Sequence, residues 1–187
     1  MMRRTQMKPG DEIIATKWIA LEGTVILVRE EQNKLRRYFS ASFLNRVKAW
    51  DEKINVSYEA TLAAGMEELS YYEAGIGGIY GSLWNYAAAS DVGLEITLNK
   101  IPILQETIEI CEVLHLNPYQ LLSGGCLLIG TAKGKQTVEK LEESGVKCRI
   151  IGKAVKGNDR MIYSKDGGRF LTPVENDELN KYFTCYL

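Results

Sequence analysis

The stretch CLLIGTAKGKQTVEKLEESGVKCRIIGKAV, residues 126–155, carries the clearest fold signal in the chain. Its first seven residues form a continuous apolar run typical of a buried strand, and Val146–Val155 is again strand-like. Between these runs, Val138 and Leu141 fall on one side of a predicted helix. So few residues join the two strands that we predict a tight right-handed crossover between parallel strands.

Further strand and helix signals lie on either side of this unit. Several neighbouring strands lack the intervening helix that a doubly wound sheet requires, so we predict the α+β class. The expected architecture is a sheet layered with helices, with a partial ferredoxin-like (split βαβ) topology. The strand patterns are Asp11–Lys17, Leu69–Ala74 and Gly93–Leu98; the helical patterns are Ile19–Glu30, residues 43–50, residues 58–69, residues 79–87 and residues 104–115.

The length of 187 residues suits one domain. The sequence predicts a flexible N-terminal arm over residues 1–9 and a single domain over residues 10–187. The arm is basic but has no apolar run, so it predicts neither a signal peptide nor a membrane span.

Composition narrows the functional classes. The chain has 23 basic and 24 acidic residues and a net charge of -1, which argues against nucleic-acid binding and against an acidic membrane surface. We therefore expect a cytoplasmic protein with neither kind of partner. The cysteines stand singly at 111, 126, 148 and 185, without the paired spacing of a zinc site, and predict reduced structural thiols and no metal site.

The best functional lead is the glycine-rich turn Gly75-Ile76-Gly77-Gly78, which opens a predicted helix. Glycines let a ligand approach the backbone, and the first helical N–H groups are free to hold phosphate. The alternative is a tight turn or a helix packed closely on its sheet. A Rossmann site with Glu95 as its acidic residue fits poorly, because the spacing is GxGxxxG and the preceding strand is polar and aromatic.

A second glycine loop, Ser123-Gly124-Gly125, precedes the Cys126 strand. It predicts either another backbone cradle at the same edge of the sheet or an ordinary loop. No residue pattern indicates a catalytic nucleophile or base. The single histidine, His115, lies near a helix C-terminus and suits a capping role.

Three stretches resemble the C-terminal domain of AIR synthase-related proteins, most closely the hydrogenase maturation factor (carbamoyl dehydratase) branch. They follow the family order from about residue 9 to about residue 180. The stretches are Gly10–Ile19 with Glu22-Gly23-Thr24; Gly77–Trp84; and Ile101-Pro102-Ile103 through Asn117-Pro118, Ser123-Gly124 and Ile151-Gly152-Lys153.

The resemblance implies the fold of the AIR synthase C-terminal domain, a layered α/β sandwich, and an ATP-dependent superfamily with Mg²⁺ as the accompanying metal. In such proteins an N-terminal half holds most ATP-binding and metal-binding groups, and we expect that half to be absent here. The family motif HD-x-T-[ED]-GG is also eroded. Its glycines match Gly77 and Gly78, and its aspartate aligns with Glu73, whereas Tyr72 and Ile76 replace a histidine and an acid.

The resemblance also implies a reactive C-terminal cysteine, but Cys185 is not the last residue and does not match. We therefore expect a stand-alone, catalytically degenerate domain that binds a phosphate-containing ligand or nucleotide. The expected contacts are Glu73, Gly75, Gly77, Gly78, Ser123, Gly124 and Gly125. Two alternatives stay open. One is an interaction module that pairs with a separate N-terminal half or with a second copy, for which an exposed surface of Tyr71, Tyr72, Ile76 and Tyr80 would be suited, since aromatic residues are enriched at interfaces. The other is a fragment of an ATP-dependent maturation enzyme.

Overall fold

A computed structural model describes residues 6–184. This part of the chain contains seven strands and nine α-helices. The strands are β1 Glu12–Thr16, β2 Leu69–Glu73, β3 Gly93–Thr97, β4 Leu127–Thr131, β5 Cys148–Val155, β6 Arg160–Ser164 and β7 Gly167–Phe170. The helices are α1 Leu21–Glu30, α2 Gln32–Leu35, α3 Ala41–Lys48, α4 Asp51–Ile54, α5 Ser57–Ala64, α6 Gly78–Ser90, α7 Gln105–Leu114, α8 Gly134–Glu143 and α9 Glu178–Thr184, with a 3₁₀ turn at Leu98–Lys100.

The strands form one sheet in the order β2-β4-β1-β5-β3-β6-β7. All neighbours are antiparallel except β3 and β6. Strands β4 and β5 both run antiparallel to β1, which lies between them, so they are parallel to each other. The β4-α8-β5 unit is therefore a split βαβ, and the predicted α+β class is confirmed.

Alternating side chains give the sheet two buried faces. On β1, Ile13 and Ile14 are both fully buried but belong to different core clusters, because successive side chains of a strand point to opposite faces. Helices α1, α6 and α7 contribute to the larger cluster. Helices α5 and α8 contribute to the smaller one, over β2, β4 and β1.

The last residues of the predicted arm contact the domain in the structure. Met7 is 2% exposed within the larger core cluster, and its N–H donates to Ser90 Oγ at 3.0 Å. The N–H of Lys8 donates to an Asp11 carboxylate oxygen at 2.7 Å. Burial of an apolar side chain and these hydrogen bonds fix the segment; residues 1–5 lie outside the described part.

The sequence patterns missed the β6–β7 hairpin and α9, and they extended the helix of residues 58–69 too far. Helix α5 ends at Ala64, followed by Gly65. The four residues of β7 are all exposed and include two glycines, so they carry little apolar signal. Residues Gly167–Phe170 form a strand because they pair with β6, which in turn pairs with β3.

Within residues 6–184 no helix combines the length and apolarity that crossing a bilayer demands. Cys111, Cys126 and Cys148 are free thiols. Cys185 lies outside the described residues.

Candidate functional site

The structure brings the two predicted glycine loops together. Strands β2 and β4 are neighbours, with Glu73 opposite Leu127, so the loops at that end of the two strands must meet. The N–H of Ser123 donates to the Gly75 carbonyl at 3.1 Å. The N–H of Ala74 donates to the Cys126 carbonyl at 2.9 Å. We call this end of the sheet the glycine end.

The glycines at the start of α6 allow close packing against another part of the backbone. Gly77 and Gly78 have φ angles of +79° and +67°, which side-chain-bearing residues rarely adopt. A Cβ on Gly78 would lie 2.5 Å from the Tyr119 carbonyl oxygen and 2.7 Å from Gln120 backbone atoms. Gly78 thus allows close packing of α6, against the Tyr119–Gln120 segment and not against a strand of the sheet.

A carboxylate from a distant part of the chain lies at the start of α6. Asp177 is 3% exposed and accepts hydrogen bonds from the N–H groups of Gly77 (2.7 Å), Leu122 (3.2 Å) and Leu179 (2.8 Å). The Gly77 N–H that we predicted for phosphate therefore already has an anionic partner. The sequence signal for Asp177 was weak: an acidic residue directly before α9, where helices favour Asp.

The neighbouring amides are engaged as well. The N–H of Gly78 donates to the Gly75 carbonyl at 3.1 Å, and that of Gly75 donates to Ser82 Oγ at 3.2 Å. Gly75 has open space where a Cβ would stand. Of the predicted glycines of this loop, Gly75 is the one that leaves room for a ligand, and phosphate contact there stays a prediction.

The second loop is covered by protein. The Ser123 hydroxyl is fully buried, accepts from the Ala20 N–H at 3.0 Å and donates to the Leu121 carbonyl at 2.9 Å. A Cβ on Gly124 would collide with Glu22 Oε2, so the Glu22 carboxylate lies directly over this glycine. Gly125, with φ +97°, packs against α4 near Ile54.

The glycine end is acidic. Burial raises the pKa of the Glu22 carboxyl, and the nearby carboxylates of Glu73 and Asp177 raise it further. The side chain of Glu73 is exposed at the end of β2. The nearby cation Lys17 is committed elsewhere, since its Nζ pairs with buried Glu59 at 2.7 Å and donates to the Lys53 carbonyl. A phosphate without a counter-cation would meet repulsion here.

A cavity of about 510 Å³ opens beside Glu73. Its size falls in the range of small-molecule sites. It lies between the end of β2 and the α4–α5 segment and is lined by Asp51, Ile54, Asn55, Val56, Ser57, Ala60 and Glu73.

The aromatic surface that the sequence suggested for a partner is only partly exposed. Tyr80 is 3% exposed, because its ring stacks on Tyr119 at 5.2 Å and its hydroxyl accepts from Arg169. The prediction of an exposed Tyr80 is wrong. Ile76, by contrast, is 75% exposed at the tip of the glycine loop, and Tyr72 is half-buried.

The mixed seven-stranded sheet, its helical layers and its glycine end define an α+β domain of the AIR synthase-like class. The family described as AIR synthase related protein, C-terminal domain, matches residues 8–164. The chain belongs to this family, as its sequence resemblance predicted.

Known relatives extend well beyond the region they share with this chain. A Methanocaldococcus jannaschii protein named for hydrogenase expression/formation is 28% identical over 172 residues, which cover 90% of this chain and 49% of the relative. The chain thus spans about half the length of that relative.

Solved structures of hydrogenase maturation proteins share the fold. E. coli HypE superposes with a TM-score of 0.78 at 19% identity, over 97% of this chain and 56% of HypE. A HypE structure in complex with ATP gives a TM-score of 0.68 at 16% identity, over 93% of this chain and 53% of that protein.

Proposed function

We propose that this chain acts as the C-terminal half of a two-part, ATP-dependent protein of the hydrogenase-maturation type, and that it binds the phosphate end of a nucleotide through Mg²⁺. The observation that carries the proposal is the meeting of the two glycine loops where the carboxylate of Glu22 lies over Gly124 and that of Glu73 lies close to Glu22. The fold shared with an ATP-bound HypE supports ATP as the nucleotide.

The residues present fit a metal that is shared with the nucleotide. Mg²⁺ is usually held by one or two carboxylates together with phosphate oxygens and waters. Glu22 and Glu73 can supply those carboxylates, and the raised pKa of Glu22 means that its surroundings disfavour negative charge, which a cation would relieve. Residues 6–184 contain no cluster of three metal-ligating side chains, so the remaining ligands would come from phosphate and water.

Within residues 6–184, the cation described beside the glycine end is already paired and is not available for phosphoryl chemistry. Transfer of a phosphoryl group requires cations that neutralise developing charge. At the glycine end, Lys17 is paired with Glu59. Three backbone N–H groups there already donate to the buried carboxylate of Asp177, so they are not free to bind phosphate. We infer that the chain binds nucleotide without turnover, and that an N-terminal half would provide the missing groups.

Calorimetric titration with ATP tests this proposal. We expect binding in the presence of Mg²⁺ and none in EDTA, because bare phosphate is repelled by Glu22 and Glu73. Glu73→Gln should weaken Mg²⁺–ATP binding about tenfold, equivalent to about 1.4 kcal/mol. Binding should also strengthen as pH rises through the raised pKa of Glu22, since only the ionised carboxylate attracts the metal.

Glu143→Gln, a change on the exposed end of α8, is the matched control and should leave the titration unchanged. Equal affinity in EDTA would instead indicate a backbone cradle for bare phosphate. No heat with Mg²⁺–ATP, together with no thermal shift, would rule out the nucleotide site.

A second candidate function is self-association along the edge of the sheet. Strand β2 is outermost, and Ile76, 75% exposed, lies just beyond its end. Exposed edge strands pair readily with another chain, and a two-fold interface would use the same patch twice. Sedimentation velocity should then show a concentration-dependent dimer that Ile76→Asp weakens and Ile108→Asp, on α7, does not. A monomer at all concentrations would exclude this candidate.

A further inference from the structure

A second groove lies between α8 and β5, on the face of the sheet that carries the smaller core cluster. It has a volume of about 510 Å³. Its apolar floor is formed by Val138 from α8 and by Cys148 and Ile150 from β5, all of them half-buried. Neither Glu22 nor Glu73 takes part, so the groove is independent of the proposed nucleotide site.

The rim of this groove is basic. Lys100, Lys135 and Arg149 are exposed around it, against one carboxylate, Glu139. None of the three cations forms an ion pair within residues 6–184. Two lysines that flank this region behave differently, since Lys133 pairs with Glu68 and Lys153 pairs with Glu95, each at 2.9 Å.

The Cys148 thiol in the floor is not set up for covalent chemistry. Burial, and to a smaller extent the charge of Glu142, raises its pKa to about 12. Its Sγ lies 3.8 Å from the Val138 carbonyl oxygen. At neutral pH the thiol is therefore protonated and weakly nucleophilic, and the groove is suited to reversible binding.

From this combination we propose that the groove is a binding site for a small organic anion with an apolar or aromatic body. Sites of this size typically join apolar walls to a few polar groups that orient the ligand. Here the body would cover Val138, Cys148 and Ile150, and its acidic group would face the three cations of the rim. A neutral apolar molecule would gain the floor contacts alone and should bind more weakly.

The probe is 8-anilinonaphthalene-1-sulfonate, compared with uncharged N-phenyl-1-naphthylamine, which has the same rings without the sulfonate. We expect one sulfonate to bind per chain, about tenfold more tightly than the neutral compound, because exposed ion pairs each contribute up to about 1 kcal/mol. The double variant Lys135→Gln with Arg149→Gln should remove most of that preference. Lys165→Gln, in the distant β6–β7 turn, should not change it.

The proposal is overturned by any of three results: no binding of the sulfonate, equal affinity for the two compounds, or an unchanged preference for the sulfonate in the double variant. Surface Lys→Gln and Arg→Gln changes leave the core intact, and matched melting temperatures of the variants would verify this.

Discussion

Gly78→Ala should destabilise the protein by about 2 to 5 kcal/mol. The left-handed φ of +67° costs an alanine about 1 to 2 kcal/mol by itself. The new Cβ would also lie 2.5 Å from the Tyr119 carbonyl oxygen and 2.7 Å from Gln120 backbone atoms. These are backbone atoms that cannot rotate away, and overpacking of this kind adds about 1 to 3 kcal/mol.

Gly145→Ala is the matched control for this prediction. Gly145 follows α8 with φ +81°, and a Cβ there would meet nothing within 4 Å. Its substitution should therefore cost the conformational penalty alone, about 1 to 2 kcal/mol. Urea unfolding of both variants measures the difference. Equal losses of unfolding free energy in the two variants would mean that the start of α6 packs less closely on Tyr119–Gln120 than these distances imply.

Asp177→Ala should lower stability by about 3 kcal/mol. The carboxylate is 3% exposed and accepts from three backbone N–H groups, those of Gly77, Leu122 and Leu179. Each donor that is left buried without an acceptor costs about 1 to 3 kcal/mol, and water entering the vacated space would recover part of that. Denaturant unfolding measures the loss.

Asp159→Ala is the comparison for Asp177. Asp159 is exposed and should change stability by less than about 0.5 kcal/mol. A small carboxylate offers a second readout: sodium formate should raise the melting temperature of Asp177→Ala more than sodium chloride at equal ionic strength, by filling the vacated position. If Asp177→Ala unfolds like the parent protein, Asp177 does not hold the two loops and α9 together.

Local sequence patterns were sufficient for much of the fold. The apolar run from Cys126 to Ala132 and the strand-like run ending at Val155 predicted β4 and β5, because such runs are properties of neighbouring residues. The same patterns failed for β7, where Gly167 and Gly168 form half of a strand that depends on its partner β6. They also failed for Met7, whose burial comes from tertiary packing against the core.

For the candidate site, too, the sequence located some of the residues, and others were found only in the structure. The sequence located Gly75 and Ser123, and the sheet order brings them together because β2 lies beside β4. It could not reveal that the Gly77 N–H is bound by Asp177, which lies 100 residues further along the chain. Nor could it show Glu22 lying over Gly124.

The sequence by itself determined the helices and strands of the split βαβ unit, the AIR synthase-related family and the two glycine loops, since these depend on short-range periodicity and on motif order. Tertiary structure alone decided which backbone N–H groups remain open, where the carboxylates gather and how the groove beside Cys148 acquires its basic rim. The physical reason is that hydrogen bonding, burial and charge at a site are set by residues distant in sequence, whose meeting depends on strand order and packing.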